Sequence, residues 1–261
     1  MRESRPPATL ADAHAHLDGS SPRDLQQALE EARAAGVEAV LAVGMDLESS
    51  TETVHLSRSH DFIKPAVGIH PWNARDIDAA TYESLKALAL RPEVAAIGEV
   101  GLDMVREGIA PPEVQRRCLT RLLGLALEAG KPLNLHCRGA HREMMDALRS
   151  ANPAHRGTAH GFTGDGAMLR DWLELGFYIT IGRSILGDKS APGPEVVRLI
   201  PLNRLLLETD SSPRYWPDGV RVTPAAVRQV AERVAEIRGA SLDTLAQATS
   251  ENFRKLFGAA S

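Results

Sequence analysis

Two histidines, His14 and His16, stand in the run Asp12-Ala13-His14-Ala15-His16. In an extended chain, residues two apart point to the same side, so this pair can present two imidazoles to one ion. Two ordinary polar residues at a strand end would read the same way. Four more ligand-type side chains follow short apolar runs: Glu99, His136, His160 and Asp210. A carboxylate has two oxygens, so Glu99 can bridge two cations; it could equally cap a helix or pair with a base. His136 and His160 would complete a second ion site. Asp210 places a charge after Leu205-Leu206-Leu207, where an unpaired charge is costly and a cation, or a proton to accept, offsets that cost. The donors are nitrogen and oxygen only. That suits Zn, Mn, Fe, Co or Ni, and the two carboxylates also admit Mg. Cys137, between His136 and Arg138, is expected to point away from this group into core packing, as is Cys118 on a helix.

The elements that must position these residues repeat as a short apolar run followed by a helix-like stretch. The strand candidates are Leu10–His14, Val37–Val43, Ile63–Val67, Val94–Ile97, Pro132–Leu135, Gly157–His160, Tyr178–Ile181 and Arg204–Leu207. Strands buried on both faces read as continuous apolar runs of this length. Amphipathic stretches cover Pro22–Ala35, Pro112–Ala129, Asp165–Leu175, Pro224–Arg238 and Leu242–Phe257, and the first three stop at glycine. Eight alternating units predict one domain over residues 1–261, an α/β protein with a TIM (β/α)8 barrel. A doubly wound open sheet is the alternative, but no glycine-rich phosphate fingerprint follows the first strand. In such a barrel, catalytic groups gather at the C-terminal ends of the strands. Six of the nine histidines (14, 16, 70, 136, 141 and 160) fall at or just after an expected strand end. His55, His60 and His155 lie in helix-like or loop sequence and are expected to be solvated.

Composition narrows the function classes. The 261 residues are 43% hydrophobic and 25% charged, an ordinary globular balance that argues against disorder. A formal charge of −4 is not the overall basic excess of a protein that holds nucleic acid mainly by charge. Two cysteines exclude a disulfide scaffold. No signal peptide and no apolar run of membrane-spanning length are found, so the expectation is a soluble cytoplasmic protein without a membrane partner.

Seven segments in order, DAHAHLD (12–18), GIHPW (68–72), GEVGLD (98–103), HCR (136–138), HGFTG (160–164), LLLETDSSP (205–213) and ENFRKLF (251–257), resemble the TatD family of metal-dependent hydrolases, within the amidohydrolase-type barrels. The resemblance spans about Asp12 to Phe257. It implies two divalent ions (Mg, Mn or Zn), one held by His14, His16 and Asp210, the other by His136 and His160, with Glu99 bridging. Wider relatives bridge with a carbamylated lysine on strand 4; Glu99 stands there instead. His70 and Asp103 match positions beside the family's site and imply substrate contact. Two departures fall in substrate-facing loops: Gly139 where an acidic residue is common, and Arg221-Val222-Thr223-Pro224 where an Arg-Asn pair often precedes the proline.

The expected reaction is hydrolysis by metal-activated water, with Glu99 and Asp210 as catalytic carboxylates and Asp210 accepting the proton of the attacking water. The resemblance points to DNA, single-stranded or at a 3′ end, and to 3′–5′ exonuclease activity. Independently, the loops after the strands carry Arg75, Arg106, Arg138, Arg142, Arg183, Lys189, Arg214 and Arg221, and arginine forks suit phosphate oxygens. Trp72, Tyr215 and Trp216 could stack on bases. The substrate-contact set is therefore His70, Trp72, Asp103, Arg138, Arg183 and Arg214. Two alternatives stand beside it. One is ester or amide hydrolysis, on an aminoacyl-tRNA or a small cyclic amide. The other is a metal-containing subunit that only binds a partner.

Overall fold

The computed structural model describes residues 9–75, 77–151, 154–187, 191–212 and 222–258. Eight strands are present: β1 Leu10–Ala15, β2 Val37–Val43, β3 Ile63–Val67, β4 Ala96–Asp103, β5 Leu133–Arg138, β6 Gly157–Ala159, β7 Tyr178–Ile181 and β8 Leu205–Leu207. They form one sheet in the order β1 to β8, each neighbour pair parallel. Beyond β8 the chain returns to β1. The Asp210 amide donates to the His14 carbonyl at 3.0 Å, and the His16 amide to the Ser211 carbonyl at 2.7 Å. The sheet thus curls into the expected (β/α)8 barrel.

Helices α1 Pro22–Ala34, α2 Leu47–Ser59, α3 Ala79–Ala89, α4 Pro112–Ala129, α5 His141–Ser150, α6 Gly166–Glu174, α7 Pro194–Leu199, α8 Val227–Arg238 and α9 Leu242–Phe257 alternate with or follow the strands. Their starts follow local chemistry. The side chains of Ser21, Asp46, Asp78, Asp165 and Ser241 accept the amides that open α1, α2, α3, α6 and α9. Pro112 opens α4, where a missing N–H costs nothing.

Most strand limits fall within two residues of the expected ones, but β4 and β5 do not. β4 runs on through Glu99 to Asp103, and β5 through His136 to Arg138, so these residues lie inside strands rather than beyond them. The apolar run under-reads both strands because polar residues and glycines interrupt it (Gly98, Glu99, Gly101 and Asp103 in β4, His136 and Arg138 in β5), yet the two ends are paired to each other: Gly101 faces His136 and Asp103 faces Arg138. Two glycines make that pairing possible. A Cβ at Gly98 would lie 2.6 Å from the Asn134 Cβ, and one at Gly101, where φ is +154°, would lie 1.9 Å from the His136 carbonyl oxygen. The stretch read as Pro224–Arg238 is a short 3-10 turn, Pro224–Ala226, followed by α8.

The principal core lies between strands and helices. A second cluster joins Phe253, Leu256 and Phe257 of α9 to Ala11, Ala13, Leu41, Val43 and Leu206. His155 is buried, contrary to the solvated position expected for it; it lies two residues before β6. Among the described residues no helix is long and apolar enough to cross a membrane.

Candidate metal centre

Closure of the barrel and assembly of the centre are one event. The two main-chain hydrogen bonds that join the segment after β8 to β1 flank Asp210 and bring it beside His14 and His16. Asp12 tightens the seam: it accepts the Thr209 amide at 2.9 Å, the Thr209 hydroxyl at 2.5 Å and the His14 amide at 3.2 Å. Burial pushes the Asp12 carboxyl up to about 8, against the opposing pull of those hydrogen bonds. Asp210 itself has φ +49°, a left-handed backbone that aspartate tolerates better than most residues.

Glu99 divides the centre into two halves. Its Oε2 lies 3.4 Å from the Nε2 atoms of both His14 and His16, which are 3.4 Å apart. Asp210 Oδ1 lies 3.6 and 3.5 Å from the same two nitrogens. Glu99 Oε1 faces the other way, 2.8 Å from His136 Nδ1, 2.8 Å from His160 Nε2 and 3.1 Å from His70 Nε2. The six residues expected as ligands from sequence are thus brought together at the C-terminal mouth of the barrel.

Hydrogen bonds behind the imidazoles decide which nitrogen is free. Asn134 Nδ2 donates to the Ala13 carbonyl, which turns its Oδ1 toward His14 Nδ1 at 2.8 Å. That oxygen can only accept, so His14 carries its proton on Nδ1 and aims a lone pair from Nε2 at the centre. The Asp103 carboxylate lies 3.3 Å from His136 Nε2 and takes its N–H, leaving Nδ1 with the lone pair. Glu208 lies 3.4 Å from His160 Nδ1, leaving Nε2, and is itself held by the Gly161 amide at 2.7 Å. Such outer partners orient metal-binding imidazoles in general.

The converging atoms are therefore lone pairs and carboxylate oxygens, acceptors facing acceptors. A cation, or protons in its place, must sit between them. This donor set fits divalent metal ions, and sulfur takes no part in it. Titration behaviour agrees. Burial would raise Glu99, but His70, His160 and His14 outweigh it and hold the carboxyl well below its ordinary range. Burial likewise opposes charge on Asp210, yet His16, His14 and His160 bring it down to about 2. Burial opposes charge on His16, His136 and His160, and the neighbouring carboxylates reverse the sign, raising all three, His160 most.

His70 differs. Its Nδ1 accepts the Trp72 amide at 3.1 Å, so the neutral ring carries its proton on Nε2 and donates to Glu99. Burial lowers its pKa. It is a donor at the rim of the centre rather than an electron-pair ligand.

A cavity of about 400 Å³ opens over the centre, bounded in part by His70, Trp72, Arg138, Thr163 and Ser212. Of the substrate-contact candidates, His70, Trp72 and Arg138 border it. Asp103 stands behind: it accepts the Trp72 indole N–H at 2.8 Å and the amides of Val105 and Arg106, and bonds to His136. Arg183 is exposed and does not border the cavity. Arg214, Tyr215, Trp216, Arg221 and Lys189 lie outside the described residues. His141, also at a strand end, pairs instead with Asp171 at 2.9 Å. Cys137 packs partly on the core while contributing to the cavity wall, and burial pushes its thiol to about 12.

Sequence reasoning passed over Asp12, Asn134 and Glu208. Each lies two residues before a candidate ligand (His14, His136 and Asp210), so the alternation of strand side chains was the available signal.

Known proteins resemble this chain along nearly its whole length. The family described as TatD related DNase matches residues 11–258. A Bacillus subtilis protein, the uncharacterized metal-dependent hydrolase YabD, is 33% identical over 95% of this chain and 98% of its own. The 3′-5′ ssDNA/RNA exonuclease TatD of Erwinia amylovora is 35% identical over 90% of this chain and 94% of its own. The crystal structure of YJJV, a TatD homolog from Escherichia coli, superposes with a TM-score of 0.86 at 27% identity, covering 96% and 98% of the two chains. The chain belongs to the TatD family of metal-dependent hydrolases.

Proposed function

We propose that this TatD-family hydrolase cleaves phosphodiester bonds in single-stranded DNA, removing nucleotides from the 3′ end, with two divalent ions as cofactors. The observation that supports this reading best is the two-sided Glu99, with one set of donor atoms at Oε2 and another at Oε1. His14, His16 and Asp210 would hold one ion and His136 and His160 the other, with Glu99 shared. Ions held there would lower the pKa of a water and polarise a phosphoryl oxygen.

The chain's own groups supply the rest. The Asp210 side chain is 55% exposed, and its carboxyl is ionised at neutral pH. It can both turn toward an ion and take the proton of the attacking water, as a general base must. Arg138, on the cavity wall, presents a fork suited to two phosphate oxygens. His70 holds Glu99 in place by donating its Nε2–H to Oε1. Trp72, whose ring is held by the bond to Asp103, offers a face for a terminal base. The name carried by the Erwinia relative favours the same substrate class and extends it to RNA.

Metal analysis joined to digestion of end-labelled oligonucleotides tests this reading. The expected result is bound divalent metal, loss of activity with chelator, and shortening from the 3′ end. A metal-loaded chain that leaves DNA and RNA intact but hydrolyses an aminoacyl ester or a cyclic amide would assign the same centre to carbonyl chemistry instead. A metal-loaded chain that hydrolyses none of these would make it a binding subunit.

A further inference from the structure

The cavity over the metal centre does not stand alone. Trp72 also borders an adjoining groove of about 1010 Å³, which reaches Asn73, Ala74 and Arg75. Arg75 in turn borders a second groove of about 570 Å³, whose other wall is α4. Trp72 is thus common to the cavity over the centre and the adjoining groove, and Arg75 to the two grooves.

The far groove is basic. Among the described residues, Arg75, Arg116, Arg117 and Arg121 border it together with Glu113, in a chain whose overall charge is −4. Its floor is apolar, formed in part by Ile77 and Cys118, both buried. Arg116 and Thr120 lie four residues apart on α4, as do Arg117 and Arg121, so two adjacent rows face the groove and the side chains within each row stand about one helical turn, ~5.4 Å, apart. Arg121 is fixed in place by donating to the Ile77 carbonyl and by lying 4.5 Å over the Tyr82 ring. Arg75 and Arg116 are exposed. At the near end, Arg106 lies 3.9 Å over the Trp72 ring, so a cation covers one face of the indole.

We infer that the Arg75–α4 groove is a phosphate-backbone subsite for single-stranded nucleic acid, holding the part of the strand that lies outside the metal centre. The inference rests on the nuclease reading above and adds where the strand runs. Arginine forks on phosphate with an apolar floor for sugar and base edges are the chemistry of sequence-independent single-strand binding. The intermediate groove also directs the strand. Its opposite wall carries Asp46, Glu48 and Glu52, which repel phosphate, so a polyanion keeps to the Trp72–Arg75 side.

The test is binding of fluorescent single strands to metal-free protein, where the centre contributes no cations. Wild type is expected to bind an oligonucleotide of about 20 nucleotides at least about tenfold more tightly than a trinucleotide. The double variant R75A/R116A loses most of that advantage, and its salt dependence falls by roughly 1.4 in log–log slope, about 0.7 for each lost contact. Glu48→Gln, on the repelling wall, tightens the long strand slightly. Cleavage of bis(p-nitrophenyl) phosphate by metal-loaded R75A/R116A stays at the wild-type rate, which shows that the centre is intact. Equal binding of the long strand by variant and wild type, or equal affinity of wild type for both lengths, overturns the subsite. Failure of wild type to cleave any oligonucleotide while it cleaves the small diester overturns the nuclease reading, and is seen in a separate assay.

Discussion

The two halves of the centre are built differently. At Glu99 Oε2, two imidazoles come from one stretch of chain, His14 and His16, and the partner behind His14 is a neutral amide, Asn134. At Oε1, the imidazoles come from two strands, β5 and β6, and each is backed by a carboxylate, Asp103 behind His136 and Glu208 behind His160. A carboxylate partner makes an imidazole more basic and a stronger donor than an amide does. The first half therefore gains its geometry cheaply from local spacing. The second must be oriented by charge. The first half also holds Asp210, the most exposed of the six proposed ligands, so the proposed chemistry is expected there and firm anchoring on the other side.

Removing what the halves share has the largest expected effect. Glu99→Ala should cost both ions and at least about 10³-fold in turnover, the several kcal/mol that bound cations supply. Metal content near two per chain with near-native rate would falsify the bridging role. Next comes Asp210→Asn, expected to lower kcat by about 10²- to 10⁴-fold while the fold persists, the range of a general base. Near-native turnover of a metal-loaded variant removes it as proton acceptor.

Smaller and more discriminating are the supports. Asp103→Asn and Glu208→Gln should weaken one of two ions about 10- to 100-fold and leave the other in place. Asn134→Asp should spare that ion and alter the His14 side. Stepwise metal titration, read calorimetrically, checks this; equal weakening of both ions by Asp103→Asn erases the distinction between halves.

The smallest expected effect is a pH dependence. His16, His136 and His160 titrate above the ordinary histidine value of 6.5 in the metal-free chain. Raised folded values mean that their ion pairs stabilise the metal-free chain fully below that value and fade as pH rises through the folded ones. Glu99 and Asp210, both lowered, add stability above the ordinary carboxylate range and lose it in acid. Metal must displace the histidine protons, so the rise in Tm on adding manganese should be greater at about pH 8 than at about pH 6. An equal or reversed rise contradicts proton competition at these ligands.

Much of this was legible in the residues. Apolar runs of strand length alternating with helix signals gave the barrel, because burial on both faces leaves a distinct pattern. Ligand-type residues at the ends of those runs gave the six members of the centre, since a parallel barrel gathers its strand ends at one mouth. The extents of β4 and β5 were not legible, because polar residues and glycines interrupt their apolar runs and the strand ends are held by pairing with each other. Nor were the supports: a buried aspartate, asparagine or glutamate looks alike in sequence whether it braces a ligand, caps a helix or fills a seam.

Sequence alone determined which donors this chain owns and that they would meet, for chemistry and strand periodicity are local properties. Only the closed barrel decided their division. Hydrogen bonds between residues more than a hundred positions apart do this: Asn134 to His14 selects which nitrogen keeps its proton and which faces the centre, and Thr209 to Asp12 ties the seam beside Asp210. The same closure set His70 as a donor and drew Arg75 and α4 into one groove, because side-chain orientation depends on neighbours that only folding supplies.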